Sequence, residues 1–245
     1  MSTTYATKHS FDVVFDSLKV FRLILEALSH PTRVVSLKGC AEKLSGINPF
    51  FLTVALTLLD NELCFNTCED RLLSDEIAAL THARRALVEE ADLIFVCSPK
   101  DLKNVIENAK GGTLIDPHKS ATIVVRNVVN ELVPHCWLNF AGPGINDSIT
   151  TLVSETVRDA LALRDAQYYE YPRGIDFLFI SDEGDLFAVP RLVHIEQATS
   201  ASRQSPARRK TRKSYPSDQL QTDYLQKENG IRTLFAPERV FEGTD

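Results

Sequence analysis

The stretch DLIFVCS (92–98) constrains the fold more than any other part of this chain. Between Asp92 and Ser98 it is unbroken Leu-Ile-Phe-Val-Cys, with no polar alternation. Such a run reads as a strand covered on both faces, the usual state of a strand in a helix-flanked sheet. Helices to do the covering are legible on either side. After Ser10, the residues Phe11, Val14, Phe15, Leu18, Phe21, Leu25 and Leu28 recur at helical spacing, and Pro31 ends that segment. Asn48 with Pro49 opens a second helix through FFLTVALTLLD. Ser74, followed by Asp75 and Glu76, opens a third to about Glu90, and Ser98-Pro99 opens a fourth that Gly111-Gly112 stops.

Further strands are predicted at 33–39 (RVVSLKG), 63–67 (LCFNT) and in ATIVVRNV (121–128). WLNFAGPG (137–144) reads as a strand running into a glycine turn. NDSITTLVSETVRDALALRDA (146–166) reads as a helix capped by Asn146 or Asp147. DFLFIS and LFAVP then form a hairpin around Asp182–Asp185. Strands alternating with helices, closed by an antiparallel hairpin, predict an α/β layered domain with a mixed sheet.

At 245 residues the chain has room for one large domain and an appendage. The expected division is a domain over 1–198 and a basic tail over 199–245. Residues 1–199 carry 18 Lys and Arg against 27 Asp and Glu, a net −9; residues 200–245 carry 9 against 6, a net +3. An acidic body speaks against a nucleic-acid surface there. The tail is Ser- and Gln-rich, has six Lys or Arg and no acid over 203–213, and is expected to be disordered. Near the end, IRTLFAPERVF (231–241) regains apolar residues and reads as a docking segment. MSTTYATKHS has no apolar core of a signal peptide, and the longest apolar stretch is too short for a bilayer, so a cytoplasmic location is expected. Five cysteines, odd in number and set in apolar runs, are expected as thiols.

No motif carries chemistry unaided. The six histidines show no metal-ligand spacing, and no metal or cofactor is expected. Gly142 and Gly144 sit between a strand and the predicted helix start, where free N–H groups favour phosphate; a plain tight turn is the simpler account. His118 and Lys119 lie in a polar loop, and Lys119 is the lysine to test for a pyridoxal Schiff base. The densest cluster is YPRGIDFLFISDEGDLFAVPRLVHIE (171–196). Arg173 and Arg191 come to the same end of the hairpin ribbon, joined by Asp176, His194 and Glu196. Two arginine forks in that position either grip phosphates or pair with the acids as an ion network, and the network is favoured.

FRLILEALSHPTRVVSL (21–37), FLTVALTLLDNE (51–62), GTLIDPHKSATIVVRNV (112–128), LNFAGPGIND (138–147) and the 171–196 stretch together resemble the PhnH subunit family of the bacterial carbon–phosphorus lyase system. The likeness spans about residues 10–198, and the tail departs from it. It implies a fold similar to the pyridoxal-phosphate-dependent transferases, without the cofactor or its lysine. It implies contacts with PhnI, PhnG and PhnJ subunits, and a homodimer when isolated. The role implied is that of an accessory subunit in moving an alkylphosphonate to the ribose C1 of ATP. Arg173, Arg191 and His194 are then the first candidates for phosphate or interface contacts, and Gly142 and Gly144 the second. Rival readings are a stand-alone pyridoxal enzyme and a polyanion-binding protein acting through 203–213.

Overall fold

The computed structural model describes residues 9–128, 135–197 and 232–233. In chain order the elements are α1 (Phe15–Ser29), β1 (Val35–Ser36), α2 (Lys38–Ala41), α3 (Pro49–Leu58), β2 (Cys64–Asn66), α4 (Arg71–Thr81), β3 (Arg84–Arg85), β4 (Leu93–Val96), α5 (Leu102–Asn108), β5 (Thr122–Asn127), β6 (His135–Ala141), β7 (Ile149–Ser154), α6 (Glu155–Ala166), β8 (Asp176–Ser181), β9 (Asp185–Val189), β10 (His194–Gln197) and β11 (Arg232–Thr233). Seven strands form one mixed sheet in the order β1-β9-β8-β5-β4-β2-β3. From β3 to β8 the strands run parallel, and β9 runs against both of its neighbours. A second sheet, ordered β10-β6-β7-β11, stands apart from the first.

Alternation along the central strands sorts the core into two layers. Phe95, Val124, Leu178, Ile180 and Leu186 pack with residues of α1, α3 and α4 on one face. Ile94, Val125, Phe177, Phe179 and Phe187 pack on the other with residues of α5, α6 and the small sheet. Every residue of β4 is buried, as the run LIFVC predicted. The α/β layered expectation therefore holds, with a second sheet that the sequence reading did not anticipate.

Four local expectations are corrected. The helix predicted over 146–166 is half strand: Ile149–Ser154 pairs antiparallel with β6, and only 155–166 is helical. Ile149, Thr150, Thr151 and Val153 are β-branched and suit a pleated surface. The cap is Ser154, whose Oγ accepts the Val157 N–H at 3.3 Å. The third helix starts at Arg71, because the Asp70 carboxylate accepts the Leu73 N–H at 3.0 Å, and it ends where His82 turns left-handed. The strand predicted at 33–39 is only β1 followed by α2. The first helix begins at Phe15, with Asp12 accepting the N–H groups of Val14 and Phe15. Asn48 and Pro49 cap α3 as expected.

The largest surprise is the facing of α1. Asp16, Val20, Ile24 and Ala27 are its buried residues, while Val14, Phe15, Leu18, Phe21 and Leu25 are exposed. The middle of the apolar stripe read from the sequence faces outward, while its ends, Phe11 and Leu28, pack against the core. Buried Asp16 is held by Lys43, whose Nζ donates at 2.7 Å, and by the Asp12 N–H at 2.9 Å. The tail expectations for 199–245 lie outside the described residues, except that Arg232 and Thr233 pair in parallel with Thr151 and Leu152 of β7.

Candidate functional site

Because β9 is antiparallel, its end returns to the edge of the sheet where the parallel strands begin. There Pro190, Arg191 and Leu192 come to Asp176 at the start of β8 and to Pro117 in the turn that precedes β5. With Leu28 and Ser29 at the end of α1, Pro143 and Gly144 of the glycine turn, His118 and Pro172, these residues line a cleft of about 500 Å³. Ligands of open α/β sheets normally bind at the opposite edge, outside the carboxyl ends of the strands.

Arg191 and Asp176 form the centre of this cleft. The Asp176 carboxylate accepts the Arg191 backbone N–H at 2.7 Å and its Nε–H at 3.2 Å, with Nη2 on the second oxygen. Arg191 Nη1 donates to the Pro117 carbonyl. Gly174 makes room for this side chain, since a Cβ there would lie 2.9 Å from Arg191 Cβ. The guanidinium is thus neutralised and spent on protein oxygens. Arg173 is separate: its Nε donates to the Gly112 carbonyl at 3.1 Å.

Of the five residues expected to join at the ribbon end, His194 and Glu196 leave it altogether, and Arg173 bonds to Gly112 instead of to the pair. His194 and Glu196 belong to β10, which leaves the large sheet and pairs with Ala141 and Asn139 of β6. Both are exposed. The network reading is therefore realised by the Arg191–Asp176 pair and not by Glu196. Lys119 also points elsewhere, with Nζ 2.8 Å from Asp116. That contact, with His118 a weaker influence, holds the Asp116 carboxyl below its ordinary value.

The glycine turn does not hold a helix N-terminus, since β7 follows it, and the geometric argument for a phosphate there is lost. Its glycines are explained by close approach instead. A Cβ on Gly144 would lie 2.5 Å from the Ser29 carbonyl oxygen, and one on Gly142 would lie 2.7 Å from that of Leu192. The turn is wedged between α1 and the β9–β10 connection.

Arg164 escaped the sequence reading. It is 3% exposed, and Nη2 donates to the Val193 carbonyl at 2.6 Å while Nη1 reaches Pro190 O at 3.3 Å. It therefore clamps both sides of the connection that carries Arg191. Its spacing from Val157, Ala160 and Leu161 places it on the buried face of α6, the one sequence signal available.

All five cysteines are free thiols. Burial pushes the Cys68 thiol up to about 12 and Cys97 up to about 11, so neither is a ready nucleophile at neutral pH. Among the described residues, no group of three or more His, Cys, Asp or Glu is placed to hold a metal ion. Nor is any helix there long and apolar enough to cross a membrane.

The sequence profile of the family described as "Bacterial phosphonate metabolism protein (PhnH)" matches residues 9–196. The chain belongs to the PhnH family. The match takes in both sheets up to β10 and every residue lining the cleft, and it stops short of the basic tail. A comparison with curated proteins returned no match. Membership of the PhnH family makes this chain a phosphonate-metabolism protein of the carbon–phosphorus lyase system.

Proposed function

We propose that this chain is an accessory subunit of a carbon–phosphorus lyase core assembly, working beside subunits of the PhnG, PhnI and PhnJ type. In that reading it is needed when an alkylphosphonate oxygen replaces adenine at the ribose C1 of ATP. It acts in the cytoplasm, forms a homodimer when isolated, and shapes a site mostly built elsewhere. The body over 1–198 is the working domain and 199–245 an addition to it. The open, mostly parallel seven-stranded sheet between helical layers supports a likeness to the pyridoxal-dependent transferases.

The observation that carries this reading is the family match over residues 9–196. The cleft favours a contact role over independent catalysis. Its one arginine is neutralised by Asp176, and it lies at the amino edge of the sheet. Its neighbours in sequence expose apolar surface, with Ile115 90% and Tyr171 73% accessible, as a docking surface does. His118 is the residue proposed to meet a partner or a phosphate there, and Arg191, paired with Asp176, to meet a partner. Gly144 shapes the cleft wall, and Arg173, Lys119, Gly142 and His194 are proposed as interface candidates outside it.

The test is co-expression of the chain with the PhnG, PhnI and PhnJ type subunits of the same host. A joint complex that releases adenine from ATP when alkylphosphonate is supplied, and loses this activity without the chain, is the expected result. Recovery of the other subunits alone, with activity undiminished, would overturn the reading.

A further inference from the structure

Helix α1 carries two apolar faces, and only one is used by the fold. Val20, Ile24 and Ala27 are buried against the core. Val14, Leu18, Phe21 and Leu25 follow at intervals of four, three and four, and are 70%, 47%, 47% and 52% exposed. That spacing draws a straight seam along the helix, of the kind a second helix packs against. One turn further on, Leu28, which is partly buried against the core, brings the end of the seam to the wall of the cleft. Singly exposed apolar residues are ordinary, but an aligned row leading into a cleft is not.

The flank of the seam shows which kind of partner fits. Lys19, Arg22 and Glu26 lie along one side of the helix at spacings of three and four. Glu26 is held by Arg33 at 2.9 Å. Lys19 reaches the buried Asp16 only at 3.5 Å, and Asp16 is already bonded by Lys43 at 2.7 Å. Arg22 is exposed and has no ion pair among the described residues. The rim is therefore basic, on a body whose net charge is negative.

We propose that the α1 seam is the docking face for an amphipathic helix of another subunit, one with aspartate or glutamate along its flank. A second copy of this chain fits less well. A two-fold axis through the middle of the seam would set Lys19 and Arg22 of one protomer beside Arg22 and Lys19 of the other, and like charges so placed disfavour the contact. The chain's own 203–213 run is disfavoured for the same reason, being basic itself. The proposal rests on the reading of the chain as a subunit, but its test uses the isolated full-length protein. Failure here therefore leaves the co-expression result standing, and the reverse also holds.

The probe is a synthetic amphipathic helical peptide with a leucine seam and glutamates on one flank, titrated against the full-length chain by fluorescence anisotropy. The same peptide with lysines on the flank is the comparison. The glutamate peptide binds at least about tenfold more tightly than the lysine peptide, and Phe21→Glu weakens it by about tenfold or more. The double substitution Lys19→Glu with Arg22→Glu inverts the preference. All three positions are exposed, and an unchanged melting curve shows that the variants fold. Absence of binding, equal binding of the two peptides, or an uninverted preference overturns the proposal. So does a homodimer, seen by light scattering, that Phe21→Glu disperses, because the seam would then belong to a second copy.

Discussion

Asp176 and Arg191 allow a quantitative test of what the cleft is built for. If the pair is structural, removing either partner destabilises the fold; if Arg191 exists to grip a ligand, stability barely changes. The two side chains are only 17% and 18% exposed. Leaving one half of a buried ion pair without its partner costs about 3–5 kcal/mol, and the remaining exposure lowers that to about 2–3 kcal/mol. Asp176→Asn keeps the shape and one acceptor oxygen, so the expected loss is about 2 kcal/mol. Arg191→Met also frees the Pro117 carbonyl and should lose about 3 kcal/mol. The double variant should be less destabilised than the sum, with a coupling of about 2 kcal/mol. Urea unfolding followed by circular dichroism supplies all four corners, and each single variant should melt about 5–10 °C lower. A coupling under about 0.5 kcal/mol would refute the structural reading and return Arg191 to the list of free anion-binding groups.

Three other outcomes follow from the geometry. Gly144→Ala places a Cβ 2.5 Å from the Ser29 carbonyl oxygen at a φ of +84°, and should destabilise by about 1–3 kcal/mol in the same assay. The Lys43 hydrogen bond, with the Asp12 N–H second, holds the Asp16 carboxyl below its ordinary value. That contribution is complete above the unfolded carboxyl value of about 4 and is lost as the pH falls through the lower folded value. Lys43→Met should therefore destabilise at pH 7 and flatten the acid limb of the unfolding profile. Cys68 and Cys97, raised to about 12 and about 11 by burial, should resist maleimide in the native protein at pH 8, where about one in a thousand or fewer of each is thiolate. Rapid native labelling, mapped by mass spectrometry, would contradict their burial.

What the sequence disclosed depended on how local the determining interaction is. The run LIFVC announced a strand buried on both faces because burial of that kind is written into consecutive residues. Asn48 with Pro49 announced a helix start because a cap acts over three residues. Position 146–166 misled, since Asp147 and Ser154 both look like caps and only the pairing of Ile149–Ser154 with β6 decides between them. The α1 seam was visible, but its direction was not. A helix with two apolar faces does not say which one the sheet will take, and here the narrower face, with Val20, Ile24 and Ala27, was taken. Within the candidate site, Arg191 and Asp176 were legible as neighbours through hairpin geometry. His194 was misplaced because nothing between Pro190 and His194 signals a change of sheet. Arg164 works across a gap of 29 residues to Val193, which no local pattern reports.

The short pairing of Arg232–Thr233 with Thr151–Leu152 bears on how the family-sized portion behaves when separated from its extension. β7 would otherwise be the outer strand of the small sheet, offering a row of unmet N–H and C=O groups to any chain that drifts past. A protein trimmed after Gln197 keeps every residue of the cleft yet acquires a sticky rim. Its clumping in storage would then report on the missing extension and say nothing about the soundness of the core.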